Sequence, residues 1–490
     1  MDFCIHQKGY SVHSIFNNIF RATTGIALLS ISITGHTAGL LLPDEMLRND
    51  LAFLSERGVI SLGLSTWPLS QDEVERALKN ARTEYPSERA VVERANHRLY
   101  TLKADARITA HSYSNEPGTP QGFGNTIYAG QEASLAFNLG GDAWDVHLQG
   151  NAEADMQISN GSPYNLNNSY GAFRFANQWL AFGQIPQWWG PGYEGSLIRS
   201  DAARPVTGFL MQRAEQSAPE TWWLNWIGPW QYQITAGELN QYTAVPHTLL
   251  TGGRLTFSPL SSLELGASRM MQWGGDGRSK SFSTFMNGFA GQDNTGTGNE
   301  PGNQLAGFDF KLKLQPTLGW PVNFYGQMIG EDEAGFMPSG NLFLGGVEGH
   351  HIAGKDAINW YVEAHDTRRN FGRLGSSYTH HIYTDGYYQQ GYPLGDAIGG
   401  DGRLLAGKVE LATEDSQRWS ARLVYARVNP ESRDINRAFP QSDTLTGLQL
   451  GWSGDVYRSA RLKVGAWYTD ASKSDNDAGV GVGGEIPFNL

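Results

Sequence analysis

The stretch that decides the fold, Trp179–Arg213, reads WLAFGQIPQWWGPGYEGSLIRSDAARPVTGFLMQR. Two strand-like runs flank a segment in which prolines and glycines exclude both a helix and a regular ladder. Trp188, Trp189 and Tyr193 offer flat apolar faces in that segment, and Arg199 offers a hydrogen-bonding cation. Sugar rings stack on aromatic rings while their hydroxyls bind polar groups, so this segment is a candidate sugar-binding site. The alternative interpretation is an aromatic-rich turn where two strands meet a membrane interface.

Beyond this stretch, apolar and polar residues alternate with a period of two from Ala104 to the last residues of the chain. The pattern is clear in 144–149, 308–315 and 460–468, and it indicates strands with one apolar and one polar face. Many segments run to about ten residues, the length that a tilted strand needs to cross a bilayer. Several carry full charges on the polar face, which a wet lumen tolerates. The sequence therefore predicts an all-β protein, a closed antiparallel outer-membrane β-barrel.

The expected number of strands follows from a regularity of outer-membrane barrels. Because bacterial barrels close with an even number of strands, we expect about 18. The weakest candidate strand is 221–228, where three tryptophans do not alternate cleanly with polar residues. The links 273–302, 367–402 and 429–442 are long and polar, whereas 454–456 has the composition of a tight turn. Long links are expected outside the cell and tight turns in the periplasm.

The N-terminal part of the chain differs from the strand region. Residues 1–38 contain basic residues before a short apolar run, a pattern that predicts a signal peptide. Residues 39–102 show helical spacing, with 70–73 as a capping box, and predict a small bundle that docks on something larger. Residues 103–490 are assigned to the barrel.

Composition disfavours several classes of function. Aromatic residues make up 12% of the chain and charged residues only 18%, a profile typical of β-structure with many turns. The formal net charge of −12 disfavours nucleic acid as a partner. The single cysteine, Cys4, lies in the predicted signal peptide, so we expect neither disulfide nor thiol chemistry in the exported chain.

Several motifs resemble those of a known family. They are Arg48-Asn49-Asp50-Leu51 through Gly58-Val59-Ile60, Thr66-Trp67-Pro68-Leu69-Ser70, Trp188-Trp189-Gly190-Pro191-Gly192, Ala203-Arg204-Pro205-Val206, and Tyr378-Thr379-His380-His381 through Gly391-Tyr392-Pro393-Leu394-Gly395. The chain resembles the Wzi family of capsule assembly proteins over its length after the signal peptide. The resemblance implies an 18-stranded outer-membrane barrel with a small periplasmic helical bundle. It also implies a non-catalytic surface lectin that binds capsular polysaccharide and helps attach the capsule to the cell.

The candidate polysaccharide-binding residues combine the central motifs with basic and aromatic residues of the longest link. They are Trp188, Trp189, Tyr193, Arg199, Arg204, Arg368, Arg369, Arg373, Tyr387 and Tyr388. The expected partners are capsular or another surface polysaccharide and outer-membrane lipid, and we expect a monomer. No cofactor, metal or catalytic residue is predicted.

Two other functions are compatible with the same strands. A porin-like saccharide channel would be lined by polar-face residues, namely Asp145, Glu153, Lys311, Lys313 and Arg422. An outer-membrane hydrolase of lipid or glycan would need a positioned nucleophile, and 266–270 lacks the last glycine of a nucleophile elbow. The adjacent pairs His350-His351 and His380-His381 would point to opposite faces of a strand, so neither pair is expected to chelate a metal.

Overall fold

A computed structural model describes residues 38–115, 117–159, 161–289, 300–334, 337–457 and 459–489. The predicted signal peptide, residues 1–38, lies outside the described residues except for Ala38. The division of the chain into residues 1–38, 39–102 and 103–490 stays a prediction.

Eighteen antiparallel strands form one closed barrel, which confirms the predicted fold class and strand number. In chain order they are β1 Ala106–Tyr113, β2 Ala129–Gly141, β3 Trp144–Met156, β4 Tyr170–Phe175, β5 Gln178–Gln184, β6 Thr207–Arg213, β7 Trp230–Glu238, β8 Leu249–Leu260, β9 Leu263–Trp273, β10 Gly302–Lys313, β11 Val322–Ala334, β12 Met337–Ala353, β13 Asp356–Asp366, β14 Arg403–Ala412, β15 Arg418–Val428, β16 Asp443–Tyr457, β17 Ala460–Ala471 and β18 Asp477–Phe488. Strand β18 pairs with β1, with Phe488 opposite Ala106, and this pairing closes the wall.

Short pairs of strands supplement the barrel. Leu40–Leu41 pairs with Leu69–Ser70, Thr66–Trp67 with Trp188–Trp189, and Tyr388–Gln389 with Tyr392–Pro393, while Tyr164–Asn165 pairs with β3.

The wall has the two faces that the alternation predicts. In β10, Phe308 and Phe310 point outward and are 49% and 44% exposed, whereas Asp309 and Lys311 are buried in the lumen. The same alternation, large apolar outside and polar inside, recurs around the barrel because the outer face meets hydrocarbon.

The predicted strand 221–228 is wrong. Strands β6 and β7 pair directly, and the link between them contains only a 3₁₀ turn, Asn225–Ile227. Trp222 is 83% exposed and Trp226 is 62% exposed, so this link has no buried face of its own. A ladder needs a period of two, and the closely spaced tryptophans do not supply one.

Helices are present in the N-terminal region, as the spacing in 39–102 predicts: the described residues contain three there and two short ones in links. They are α1 Glu45–Glu56, α2 Gln71–Lys79, α3 Pro86–Leu102, α4 Phe282–Phe289 and α5 Gln315–Leu318. The predicted capping box at α2 is wrong, since the Ser70 side chain makes no cap bond and its hydroxyl accepts from Trp179 Nε1 at 3.3 Å. Across the described residues, every helix is too short or too polar to span a membrane.

The helices α1–α3 and the segment before them form a plug at the end of the barrel where the links are short. Asn49 Nδ2 lies 3.3 Å from Glu410 Oε1, and Arg94 Nη1 lies 3.1 Å from the Thr413 carbonyl oxygen; both contacts lie near the turn between β14 and β15. The links 274–301, 367–402 and 429–442 all leave from the opposite end, as predicted. The tight turn expected at 454–456 is shifted, because β16 continues to Tyr457 with Gly454 opposite Leu462.

Candidate functional site

The residues between β5 and β6, 185–206, leave the wall and fold into the lumen; we call them the central segment. Trp188 pairs with Trp67 of the plug, and the Trp189 amide donates to the Arg199 carbonyl at 2.9 Å. Gly190 has φ of +151°, and a Cβ there would lie 2.9 Å from Gln327 Nε2, so the tight approach to the wall requires glycine. The interpretation of this segment as a turn at the membrane interface is therefore wrong.

A cation from the plug is enclosed by aromatic rings at the base of the central segment. The Arg48 guanidinium carbon lies 4.4 Å from the ring centre of Phe123, 5.8 Å from that of Trp188 and 4.3 Å from that of Tyr193. Arg48 Nη2 also donates to the Pro191 carbonyl at 2.8 Å. Cation–π contacts strengthen when the cation is desolvated, so this cage fastens helix α1 to the central segment.

Carboxylates on the wall hold the backbone of the central segment. Glu363 of β13 accepts from the amides of Tyr193 and Glu194 at 2.7 and 2.9 Å and from the Tyr325 hydroxyl at 2.6 Å. Glu194 in turn accepts from the Tyr361 hydroxyl at 2.7 Å and pairs with Arg422 of β15. Every polar group in this set is buried, and its partners offset the cost of removing it from water.

The plug is fastened to the lumen wall by buried ion pairs. Asp50 pairs with Arg94 at 2.7 Å and with Arg418 of β15. Lys311 of β10 lies 2.6 Å from Glu56 of α1. Burial raises the cost of ionising Glu56, but the charges of Lys311 and His350 outweigh it and hold the Glu56 pKa well below its ordinary value.

Asp44, at the start of α1, and Asp201, in the central segment, are both largely buried but differ in their partners. Burial opposes ionisation of Asp44, yet the guanidinium of Arg98, at 2.6 Å, lowers the Asp44 pKa below its ordinary value. Burial raises the pKa of Asp201 in the central segment to about 6, although the Gly124 amide donates to it at 2.8 Å. Asp201 borders a cavity of about 220 Å³ between the plug and strands β1–β4.

The link 367–402 covers the other end of the barrel, and we call it the lid. Its five tyrosines are buried, and they are Tyr378, Tyr383, Tyr387, Tyr388 and Tyr392. The Tyr378 hydroxyl donates to the Leu197 carbonyl at 2.6 Å, and the Tyr387 hydroxyl donates to the Ile198 carbonyl at 2.8 Å.

One histidine connects the wall with the lid. His365 of β13 has one ring nitrogen 2.6 Å from Glu363 and the other 2.7 Å from Asp396 of the lid. Plug, central segment and lid thus form a continuous packed column through the lumen. A cavity of about 400 Å³ lies beside this column, against the strands that close the barrel.

The family model for the capsule assembly protein Wzi matches residues 96–481. The chain belongs to the Wzi family. A solved structure of Wzi, an outer membrane protein involved in group 1 capsule assembly in Escherichia coli and described as a carbohydrate-binding β-barrel, is 67% identical. It matches with a TM-score of 0.88, covering 92% of this chain and 100% of that one. An uncharacterized 55.8 kDa protein in the cps region of Klebsiella pneumoniae is 67% identical over 474 residues, covering 96% of this chain and 94% of that protein.

Membership of the Wzi family confirms two predictions. The protein is an outer-membrane β-barrel, and it belongs to a family of capsule assembly proteins.

The structure brings seven of the ten candidate residues of this Wzi-family chain into the lumen column. Trp188, Trp189, Tyr193, Arg199, Arg204, Tyr387 and Tyr388 are all buried. Trp189 Nε1 donates to Gln233 at 2.5 Å, and Arg204 pairs with Glu153 at 2.6 Å. In this arrangement their contacts are internal, so they support the barrel and lid.

The other three candidates lie at the external rim, where β13 passes into the lid. The Arg368 guanidinium bonds Asp366, with Nε 2.9 Å from Oδ1. Arg369 and Arg373 form an antiparallel bridge across a short turn, and Arg373 is exposed. The five residues proposed from the sequence to line a channel do face the lumen, but Lys311, Glu153 and Arg422 are each paired with the plug or the central segment.

Within the described part of the chain, two clusters have the composition of metal ligands. Glu56, Glu348 and His350 form one, and Lys311 Nζ already lies 2.6 Å from Glu56 and 2.5 Å from Glu348, so an ammonium group supplies the cation there. The metal site is therefore filled by the protein itself.

Glu300, His380 and His381 form the second cluster. The expectation that adjacent histidines diverge is wrong here, because His380 and His381 lie in a loop and each has Nε2 3.4 Å from Glu300 Oε2. His380 Nδ1 accepts from two backbone amides at 3.2 and 3.3 Å. A neutral ring that accepts at Nδ1 carries its proton on Nε2, which makes His380 a donor to Glu300 rather than a ligand.

Sequence reasoning missed the residues that hold the column together. Arg48, Glu363 and His365 are polar residues on a helix and a strand, and the period-two pattern gives only their face. The available signal was the density of full charges on strands that face a lumen, which predicts partners for those charges inside the barrel.

Proposed function

We propose that this protein binds capsular polysaccharide on the external surface of the lid and retains the capsule at the outer membrane. One observation carries the proposal: the tyrosines of the lid are buried against the central segment, so the external end is a surface instead of an open pore. The Wzi relative from Escherichia coli, described as a carbohydrate-binding barrel in capsule assembly, supports the same class of ligand.

The polymer-contacting residues are proposed to be arginines at the edge of the lid. Arg373 and Arg437 are exposed, and the Arg437 amide donates to the Gly391 carbonyl of the lid at 3.2 Å. Arg433 lies beside Gly375 of the lid and is half-buried. Guanidinium groups bind carboxylates in a bidentate manner and donate to hydroxyls, so this edge suits an acidic or a neutral polysaccharide.

The buried candidates have a different role in this proposal. Trp188, Tyr193 and Tyr387 keep the lid and central segment in place, and the polymer binds to the surface that they support. The net charge of −12 does not attract an acidic polymer, so local arginines must supply the attraction.

The test at the level of the cell is capsule retention in a deletion strain. We expect total polysaccharide synthesis to be unchanged while the fraction shed into the medium rises. Capsule that stays on the cells of the deletion strain would refute the proposed function.

The test at the level of residues compares an external with a periplasmic charge change. We expect Arg373→Gln combined with Arg437→Gln to raise the shed fraction and to weaken binding of purified capsule polymer. Arg89→Gln is the matched control, because Arg89 is exposed on α3 at the opposite end of the barrel. Equal retention in both variants, with both barrels folded, would show that this edge is not the binding surface.

A further inference from the structure

Helix α4, in the external link between β9 and β10, lies against the outside of the barrel. Residues of β9 alternate between the two faces, and Gln272 faces inward, where its Nε2 lies 3.0 Å from the Gly386 carbonyl of the lid. Trp273 therefore faces outward, and the ring of Phe285 in α4 lies 5.4 Å from its ring. Arg269, also outward, has its guanidinium carbon 5.3 Å from the ring of Phe289.

The contact between α4 and the wall is close. Met271 faces outward yet is 0% exposed, because α4 covers it. A Cβ added at Gly288 would lie 2.6 Å from Met271 Sδ, so glycine at this position permits the approach. Gln304 of β10 and Arg269 both bond the Gly288 carbonyl, at the C-terminal end of α4, where the helix dipole favours a cation.

The contact with α4 lowers the cost of placing the charge of Arg269 on the outer face of the barrel. An arginine on the lipid-facing side of a barrel costs free energy that depends on its depth in the membrane. Arg269 is partly shielded from lipid by the last turn of α4 and is bonded to Gln304. The helix thus replaces lipid with protein beside these two polar side chains.

The opposite sides of α4 differ in polarity. Phe282, Met286 and Phe289 are separated by four and three positions and share one face, on which they are 76%, 42% and 42% exposed. Ser283 and Asn287 are exposed on another face. Helices with one apolar and one polar exposed face lie in the plane of a membrane interface.

The apolar face of α4 continues a surface that already faces hydrocarbon. Phe308 of β10 is 49% exposed on the outer wall, and its register partner, Ala267 of β9, lies two residues before Arg269. Lys280 is exposed just before the first residue of α4, where an anionic headgroup can reach it. A hydrated polysaccharide offers no match for three adjacent apolar side chains, whereas acyl chains do.

We propose that α4 is an interfacial helix that binds lipid of the outer leaflet, with Phe282, Met286 and Phe289 among the acyl chains. Ser283 and Asn287 face water at the headgroup level. The helix gives the barrel a lateral lipid contact on one side of its external rim, next to β9 and β10.

Site-directed spin labelling tests this proposal on the full chain. In a Cys4→Ser background, Met286→Cys and Asn287→Cys place labels on neighbouring positions of the two faces. The protein is reconstituted in phosphatidylethanolamine vesicles containing lipid A. Access of each label to oxygen, which concentrates in hydrocarbon, is compared with access to a water-soluble nickel chelate.

We expect the label at position 286 to be accessible to oxygen and protected from nickel, at a depth of about 5–10 Å below the headgroups. The label at position 287 should show the reverse. Phe308→Cys provides a lipid-facing reference, and Phe282→Cys is a second apolar position in case the substitution at 286 disturbs the helix.

Two outcomes overturn the proposal. Equal access of nickel to positions 282, 286 and 287 would place the whole helix in water. Protection of positions 282 and 286 from both reagents would mean that protein, such as a second copy of the chain, covers the apolar face instead of lipid.

Discussion

The plug and the lid close opposite ends of the same lumen by different chemistry. The plug is fastened by buried ion pairs with the wall, such as Asp50 with Arg418 and Glu56 with Lys311. The lid is fastened by neutral tyrosine hydroxyls that donate to backbone carbonyls of the central segment, together with the buried contact between His365 and Asp396. Charged contacts respond to pH and are costly to break singly, whereas neutral hydrogen bonds contribute less each and do not titrate below neutral pH. The periplasmic closure therefore depends more than the external one on contacts that acid can break.

The largest expected effect comes from breaking one ion pair of the plug. Arg418 contacts both Asp50 and Glu410, with Nη1 2.8 Å from Glu410. We expect Arg418→Gln to lower the free energy of unfolding by about 3–5 kcal/mol, because two buried carboxylates, Asp50 and Glu410, each lose a cationic partner. Urea unfolding of the refolded barrel in detergent measures this loss.

An exposed ion pair at the same end is the matched control. Lys355 lies 2.7 Å from Glu414, and both side chains are more than half exposed, at 62% and 51%. We expect Lys355→Gln to change the free energy of unfolding by about 0–1 kcal/mol. A similar loss in the two variants would contradict the assignment of plug stability to burial of its charges.

Lowering the pH should destabilise the plug before it destabilises the lid. The pKa values of Glu56 and Asp44 are lowered in the folded protein, so their contribution is present at neutral pH. It is lost as the pH falls below about 4, since the unfolded carboxyls protonate there first. We expect amide-exchange protection of α1 to fall in this range while protection of the lid persists.

The pKa of Asp201 is shifted in the opposite direction, and this shift gives a second pH-dependent prediction. The pKa of Asp201 is raised to about 6, so its ionisation disfavours the folded state and that cost grows as the pH rises through 6. Asp201→Asn should remove this part of the pH dependence and leave the acid-induced loss at α1 unchanged. If amide-exchange protection of the lid is lost at a higher pH than that of α1, the lid and not the plug is the acid-sensitive closure.

The smallest effect is expected from a single hydroxyl of the lid. Tyr387→Phe removes the hydrogen bond to the Ile198 carbonyl and should lower the free energy of unfolding by about 1 kcal/mol. Proteolysis of the lid on intact cells should quicken, with Tyr164→Phe, at a residue 58% exposed, as the control. A loss as large as that of Arg418→Gln would show that the lid depends on polar contacts as strongly as the plug does.

The strands of the barrel wall could be predicted from the sequence because each strand shows the alternation within its own residues. Alternation in 308–315 or 460–468 is local, and the outward face must be apolar whatever its neighbours are. The weakest candidate, 221–228, is not a strand, and its tryptophans lack the period of two that a ladder needs. Its exposed tryptophans lie in a link that the paired strands β6 and β7 leave outside the ladder.

The candidate site was harder to predict for a physical reason. The Trp-Trp-Gly-Pro-Gly motif supplies stacking surfaces equally well to a sugar or to protein, and Arg48 with Phe123 takes those surfaces here. Arg48 and Trp188 are far apart in sequence, so no local pattern reports their contact. Arg368, Arg369 and Arg373 were placed correctly at the external end by link length alone, and their binding of polymer stays a prediction.

The pair between Arg98 of α3 and Glu485 of β18, at 2.8 Å, joins residues 387 positions apart. Contacts of such long sequence separation form late, because the chain between them must first be ordered. The plug emerges from the export machinery hundreds of residues before the carboxylate that fastens it. The pair between Arg98 and Glu485 therefore forms only when the last strand is in place, whereas the pairs of the plug with Lys311 and Arg418 involve strands that are exported earlier.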